Sequence, residues 1–329
     1  MVRIASLLAG ICVIVIGFLV GPSAATFSGK NGLISFARFD GKHVEIFSAN
    51  PDGSHIKKLT ESKPRNAVSF ISDWSPNGQL IAFDSDRKDI DGRAAVQIYL
   101  MTADGGNVTQ LTRGPGFHGN PGWSAAGTSM AIESDWGKGS LKGIWIIPAF
   151  DPDGVTVDEA QRVTDVPDRA DFDSEPQFSP DGTTIVFSRF KSARRSAIFR
   201  VNVDGSGLKR LTRYKLNASD PDVSPDGRWI TFDSGDSGRP GSKGNIYVMR
   251  LEGGKKKALT DNPRLQEGDP FEVANNPCFS PNGRRIIYTQ FGDRRTDLVV
   301  MKLNGSHKHA ILGGRRGPNK ADWGTHPRS

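Results

Sequence analysis

The sequence predicts an all-β fold, a six-bladed β-propeller of four-stranded antiparallel blades. Three observations predict it. A unit of about fifty residues recurs along the chain. Four units contain a Ser-Pro-Asp/Asn-Gly link between two apolar runs and a fifth carries a degenerate Ser-Ala-Ala-Gly copy, and an unmatched copy of the unit's first strand is left over near the C-terminal end. Composition agrees: 38 Gly and 20 Pro in 329 residues exceed the ordinary combined share of about 12%, which suits short strands and tight turns.

The first 26 residues, "MVRIASLLAGICVIVIGFLVGPSAAT", differ from the rest. One Arg is followed by an uncharged apolar run from Ile4 to Val20 and a small-residue end, with Ser23 and Ala25 in the small-x-small pattern. Residues 1–25 are therefore expected to form a signal peptide, or an uncleaved anchor, since the run approaches a membrane span. Residues 26–329 are expected to form the propeller. The expected location is periplasmic or extracellular, with membrane association through the N-terminal segment only. Cys12 lies in that segment, so Cys278 stands alone in the remainder and no intrachain disulfide can form.

The repeats read "SDWSPNGQLIAFDSD", "NPGWSAAGTSMAIES", "EPQFSPDGTTIVFSR", "DPDVSPDGRWITFDS" and "NPCFSPNGRRIIYTQ". Pro presets a turn dihedral, Asp or Asn bonds the local backbone, and Gly accepts positive φ, so each link is a tight hairpin. The flanking runs are rich in Ile, Val, Phe, Tyr and Trp, as strands require. A third strand, an Asp-Gly-like turn and a closing Leu-Thr complete the unit, as in "IFRVNVDGSGLKRLT". Thr60, Thr112, Thr164, Thr212 and Thr260 close successive units 48 to 52 residues apart, and Val163 replaces the Leu in one of them. Each unit thus supplies four strands, A to D, and one such sheet buries both faces only when stacked radially on others.

Six C–D turns occur, at residues 52, 104, 153, 204, 252 and 304, but only five complete A–B units. The first unit begins at strand B, "LISFARF", and "ADWGTHP" near the C-terminal end matches "SDWSPNG". Asp322-Trp323 is therefore expected to supply the innermost strand of blade 1. These repeats resemble those of TolB-type six-bladed propellers, the WD-like family with Pro-Asp repeats, over about residues 31 to 326. The resemblance implies this architecture, here without the N-terminal α/β domain that TolB carries, and it leaves function open.

Antiparallel order puts the A–B and C–D turns on one face and the B–C loops and D–A links on the other. The second face carries most of the length variation and is the expected binding face. Its B–C loops are basic, with Arg87, Arg195, Arg239 and Arg295 as candidate contacts for an anionic partner; a solvated rim is the plainer reading. Asn120, Glu175, Asp220 and Asn276 open strand A near the channel mouth, as strand caps or as ligand contacts. "DFDSEP" offers Asp171, Asp173 and Glu175 as oxygen donors of the kind Ca²⁺ accepts. No metal site is assigned and no other cofactor is expected.

"GDSG" around Ser237 resembles the nucleophile segment of chymotrypsin-like proteases, but it falls in a Gly-rich B–C loop. A nucleophilic serine needs a base and an orienting group within reach, and no histidine of the right face belongs to its blade. No catalytic residue is assigned. Trp74, Trp123, Phe178, Phe279 and Trp323 recur at one repeat position, which reads as packing between blades. The expected function is a monomeric, non-catalytic binding module for a protein or an anionic envelope component, with no nucleic-acid partner. The alternative is a propeller enzyme or glycan-processing protein with its site at the channel mouth.

Overall fold

The computed structural model describes residues 27–62, 68–87, 89–90, 93–136, 142–151, 153–167, 171–192, 195–234, 244–262, 272–292, 294–315 and 317–327. Six four-stranded antiparallel sheets make up the ring. Blade 1 combines Asn319–Thr325 with Asn31–Phe39, Val44–Ala49 and Lys57–Lys58. The innermost strands of blades 2 to 6 are Ser69–Trp74, His118–Trp123, Phe172–Phe178, Ala218–Val223 and Glu272–Phe279. Two short 3₁₀ turns, Val157–Glu159 and Tyr214–Leu216, are the helical elements among the described residues.

The repeat residues have visible structural work. In the Ser-Pro-Asp-Gly link of blade 4, Ser179 Oγ donates to Asp181 Oδ1 at 2.6 Å and Gly182 takes a φ of +71°, which a side chain would resist. The closing threonines staple strand D to strand C. Ile46, Ile98, Ile144, Ile198 and Ile246 each donate a backbone N–H at 2.9 Å to the Oγ1 of Thr60, Thr112, Thr164, Thr212 and Thr260.

The core lies between blades rather than within them. Trp74 packs with Ile46, Phe83 and Tyr99, which spans blades 1 and 2. Trp123 joins blades 2 and 3, Phe178 blades 3 and 4, Phe279 blades 5 and 6, and Trp323 blades 6 and 1. Val223 holds the equivalent place between blades 4 and 5. The recurring aromatic position is therefore an inter-blade wedge.

The ring closes as the leftover strand predicts. Ile34 pairs with Trp323 and Asn31 with Thr325, so the two ends of the chain share blade 1. Deleting residues 319–329 removes an inner strand and a fully packed tryptophan. We expect the thermal midpoint to fall by about 10 °C or more, the equivalent of losing a large core side chain in a chain of this size. Circular dichroism melts would show it, and an unchanged midpoint would contradict this closure.

Candidate functional site

Each innermost strand carries a register shift against strand B, between Gly119 and Gly122, Ser174 and Gln177, Ser219 and Asp222, and Asn275 and Cys278. At the shift the backbone turns left-handed. Asn120, Glu175, Asp220, Asn276 and Lys320 have φ between 49° and 57°. These residues therefore sit inside strand A, at bulges, and not at its start as the sequence suggests. The bulge aims them at the axis, where they line the central channel with Ile71 of blade 2.

A bulge leaves backbone donors without ladder partners, and buried donors need acceptors. Carboxylates of the same or the preceding blade provide them. Asp84 accepts from the N–H of Ile71 at 3.0 Å and of Asn120 at 3.2 Å. Glu175 Oε2 accepts from Asp220 N–H at 2.7 Å, and Asp233 from Asn276 N–H at 2.9 Å. One layer further in, Asp73, Asp222 and Asp322 accept from the N–H groups of Trp123, Phe279 and Trp74 at 2.7, 2.6 and 2.8 Å. Cys278 Sγ donates to Asp322 Oδ1 at 3.3 Å.

So many buried acids raise a charge problem. Burial pushes the Asp84 carboxyl up to about 6 and Glu175 up to about 7, the latter aided by Asp220. Burial, then the neighbouring Asp322, also raises Asp73, and burial, then Asp220, raises Asp233. Lys320 supplies the one cation among the described lining residues. Its Nζ reaches across the channel from blade 1 to Asp220 Oδ1 of blade 5, with Glu175 Oε1 of blade 4 at 3.7 Å. Burial alone would lower the ammonium, but Asp220 and Glu175 outweigh it and hold it above its ordinary value. All three side chains remain 16–18% exposed at the mouth.

The structure thus gathers Asn120, Glu175, Asp220 and Asn276 into one ring. It does not bring the candidate arginines there. Arg87 lies 4.7 Å over the Phe83 ring and donates to Ser69 Oγ at 2.9 Å. Arg295 is held by Asp297 at 2.7 Å, and Arg195 opens strand C of blade 4 with its side chain exposed. Arg239 and Ser237 lie outside the described residues. Lys142, another loop cation, faces Glu133 at 3.1 Å.

The acids of "DFDSEP" do not converge on one point. Asp173 forms two bonds to Arg189, at 2.6 and 2.7 Å, Asp171 lies 3.6 Å from Lys191, and Glu175 faces Lys320. A calcium donor set is not assembled from them. Elsewhere Asp40, His43 and Glu45 come within 4.8 Å of one another, but Lys58 lies 2.6 Å from Asp40 and 3.9 Å from Glu45 and already supplies the positive charge. His118 is buried against Trp136 with its Nδ1 2.9 Å from Ser134 Oγ, away from the channel.

Sequence reasoning missed Lys320, Ile71 and the supporting acids. One signal could have found the first two. Each ring residue stands three positions before its blade's wedge residue, from Ile71 and Trp74 to Lys320 and Trp323.

The molecule is a six-bladed β-propeller whose repeats are similar to those of TolB-type propellers. Residues 173–326 match the TolB beta propeller domain family. A TolB homolog of Chlorobaculum tepidum is 30% identical over 133 residues, covering 40% of this chain and 27% of that protein. The uncharacterized peptidase YuxL of Bacillus subtilis is 29% identical over 181 residues, covering 54% of this chain and 23% of that protein. The chain thus spans about a quarter of the length of these curated relatives. The crystal structure of TolB from Acinetobacter baumannii superposes with a TM-score of 0.67 at 22% identity, covering 90% of this chain and 67% of that one. Among the described residues no helix is long and apolar enough to cross a membrane.

Two outcomes follow from the charge balance. Burial disfavours charged Glu175, so its contribution to stability is intact below its ordinary value of 4.5 and is lost as the pH rises to about 7. Glu175→Gln should therefore gain stability relative to the parent across that window and level off above it. Lys320→Met leaves two buried carboxylates facing each other and should cost about 3 kcal/mol at pH 8, and much less at pH 5 where a proton replaces the ammonium. Urea titrations at several pH values measure both.

Proposed function

We propose that this chain is an exported, non-catalytic binding module that takes a protein partner at the B–C/D–A loop face, with the channel mouth as its recognition centre. The observation that carries the reading is the ring itself: two carboxylates and an ammonium, partly exposed, beside two buried amides, all fixed on rigid strands. Recognition groups held by a scaffold bind without an ordering cost. The channel cavity is about 100 Å³, below the 300–1,000 Å³ or so that encloses a drug-sized ligand. It suits an inserted side chain or chain end of a larger partner. Export is argued from the apolar run Ile4–Val20 and its small-residue end. The carboxylates already accept backbone N–H groups or pair with Lys320, which commits them to holding the ring.

One observation favours a second reading. A carboxyl raised to about 7, as Glu175 is, lies in the range useful for general acid–base work, and one relative carries the name of a peptidase. An enzyme would use Glu175 at the channel mouth on a peptide or glycan entering from the loop face.

The test is a photo-cross-linker placed at Arg195 on the loop face and, separately, at Thr183 on the turn face, followed by capture from envelope extract. We expect one protein partner from position 195, none from position 183, and at least a fivefold loss with Glu175→Gln. Equal capture from both faces would sink the loop-face reading. Turnover of envelope peptide or glycan that disappears with Glu175→Gln would replace it with the enzyme.

A further inference from the structure

The turn face, opposite the proposed binding face, is electrically lopsided. On blades 5 and 6, Lys255, Lys256, Arg284, Arg285, Lys302 and Lys308 are all exposed. Blade 1 adds Lys30 and Lys57 beside them. The carboxylates on this arc are Asp52, Asp226 and Glu252, and the last two are partly spent on Arg228 at 3.1 Å and Arg200 at 2.8 Å. Blades 2 and 3 present the reverse, with Asp104, Asp151, Asp153, Asp158 and Glu159 on the same face.

Two structural roles account for part of this basic charge but not for its placement. Lys57, Lys209 and Lys257 each donate to a turn carbonyl of the next blade, at Asp104, Glu252 and Asn304. Lysines on outer edge strands also block edge-to-edge aggregation. That role predicts lysine on every outer strand, yet those of blades 2 and 3 read Thr109-Gln110 and Gln161-Arg162. Of the six cations named first, Lys256 opens the outer strand of blade 5, and the other five lie on no outer strand and have neither role to explain their concentration on one arc.

Apolar tips occur around this whole face, two of them on the basic arc. Seven large apolar side chains are exposed among the described residues, and six of them belong to C–D hairpins of this face. Ile56 and Leu303, 45% and 38% exposed, flank the basic arc. The chain also enters the ring here. Gly29 N–H donates to Pro281 O in the A–B turn of blade 6, and Phe27 lines the channel from this side. The apolar run ending at Val20 is seven residues from Phe27 in sequence, a reach of at most about 25 Å. A membrane that holds that run lies beside the turn face, not beside the loop face.

We propose that the basic arc of blades 5, 6 and 1 docks on an anionic phospholipid surface, with Ile56 and Leu303 at the interface. Lysine and arginine supply the attraction to headgroups, apolar tips supply shallow insertion, and the acidic side formed by blades 2 and 3 tilts away. The loop face then points into the aqueous space, free for its partner.

Cosedimentation of the full chain with vesicles tests this, using phosphatidylcholine alone and phosphatidylcholine mixed with phosphatidylglycerol. The apolar run is uncharged and Arg3 before it is common to every variant, so the readout is how the ratio of the two affinities changes between parent and variants. We expect the anionic vesicles to bind at least about tenfold more tightly at low salt. Changing the six named cations to Gln should reduce that ratio to about twofold or less. Changing Lys42, Arg213 and Lys215 on the loop face to Gln should leave it intact, with matched melting curves as the folding control. No preference in the parent, or a preference that survives the six changes, overturns the proposal. Binding to soluble polyphosphate without any vesicle preference overturns the lipid assignment.

Discussion

The bulge in each innermost strand is the constraint on which the rest of the molecule depends. Six blades meet at a narrow axis, and strand A can follow it only by shifting register against strand B. The shift frees backbone N–H groups in a place water scarcely reaches. Acidic side chains of adjacent blades accept them, from Asp84 to Asn120, from Glu175 to Asp220 and from Asp233 to Asn276. One device thereby solves the hydrogen-bond problem and ties blade 2 to 3, blade 4 to 5 and blade 5 to 6. With Cys278 the single cysteine of the described residues, these staples and the wedge residues do the joining that disulfides perform in many exported domains.

The solution creates the problem that defines the site. Carboxylates that satisfy amides at the axis also repel one another, and the channel relieves this in two ways. Raised carboxyls such as Asp73 and Glu175 hold their protons longer. Lys320 brings a positive charge from blade 1 to Asp220 and Glu175 across the axis. Because Lys320 lies on the strand that closes the ring, closure and neutralisation are one event. A chain that lacked this strand would lose its inner edge and its counter-ion together.

The fold was legible because its punctuation is local. Ser-Pro-Asp-Gly, Asp-Gly and Leu-Thr state a turn or a staple within a few residues, and "ADWGTHP" announces the shared blade. The site was half legible. Asn120, Glu175, Asp220 and Asn276 stand before a proline at one repeat position, whereas Lys320 precedes Ala321 and Ile71 precedes Ser72, so the two missing ring members carry no such mark. The bulge itself is a consequence of crowding at the axis, which no single repeat encodes. Of the loop arginines only the charge was legible. Charge is visible in a sequence, but the Phe83 ring beneath Arg87 and the Asp297 carboxylate beside Arg295 are not.

The two ends of the blades respond to pH with opposite signs. On the turn face, Asp52, Asp104 and Asp204 accept bonds from Ser54, Thr102 and Ser206 hydroxyls and from nearby backbone N–H groups, which lowers their pKa values. Such groups stabilise the fold above their ordinary value of 3.8 and lose that contribution as the pH falls. In the channel, burial raises Asp84 to about 6 and Glu175 to about 7, and these groups stabilise the fold until the pH climbs through those values. These turn carboxylates therefore lose their contribution in acid, and the two channel acids lose theirs toward neutrality. The mouth gains negative charge over the same interval in which it loses stability. A cationic side chain of a bound partner, placed beside Glu175 and Asp220, would supply the missing compensation, so binding at the mouth and stabilisation of the ring draw on the same two carboxylates.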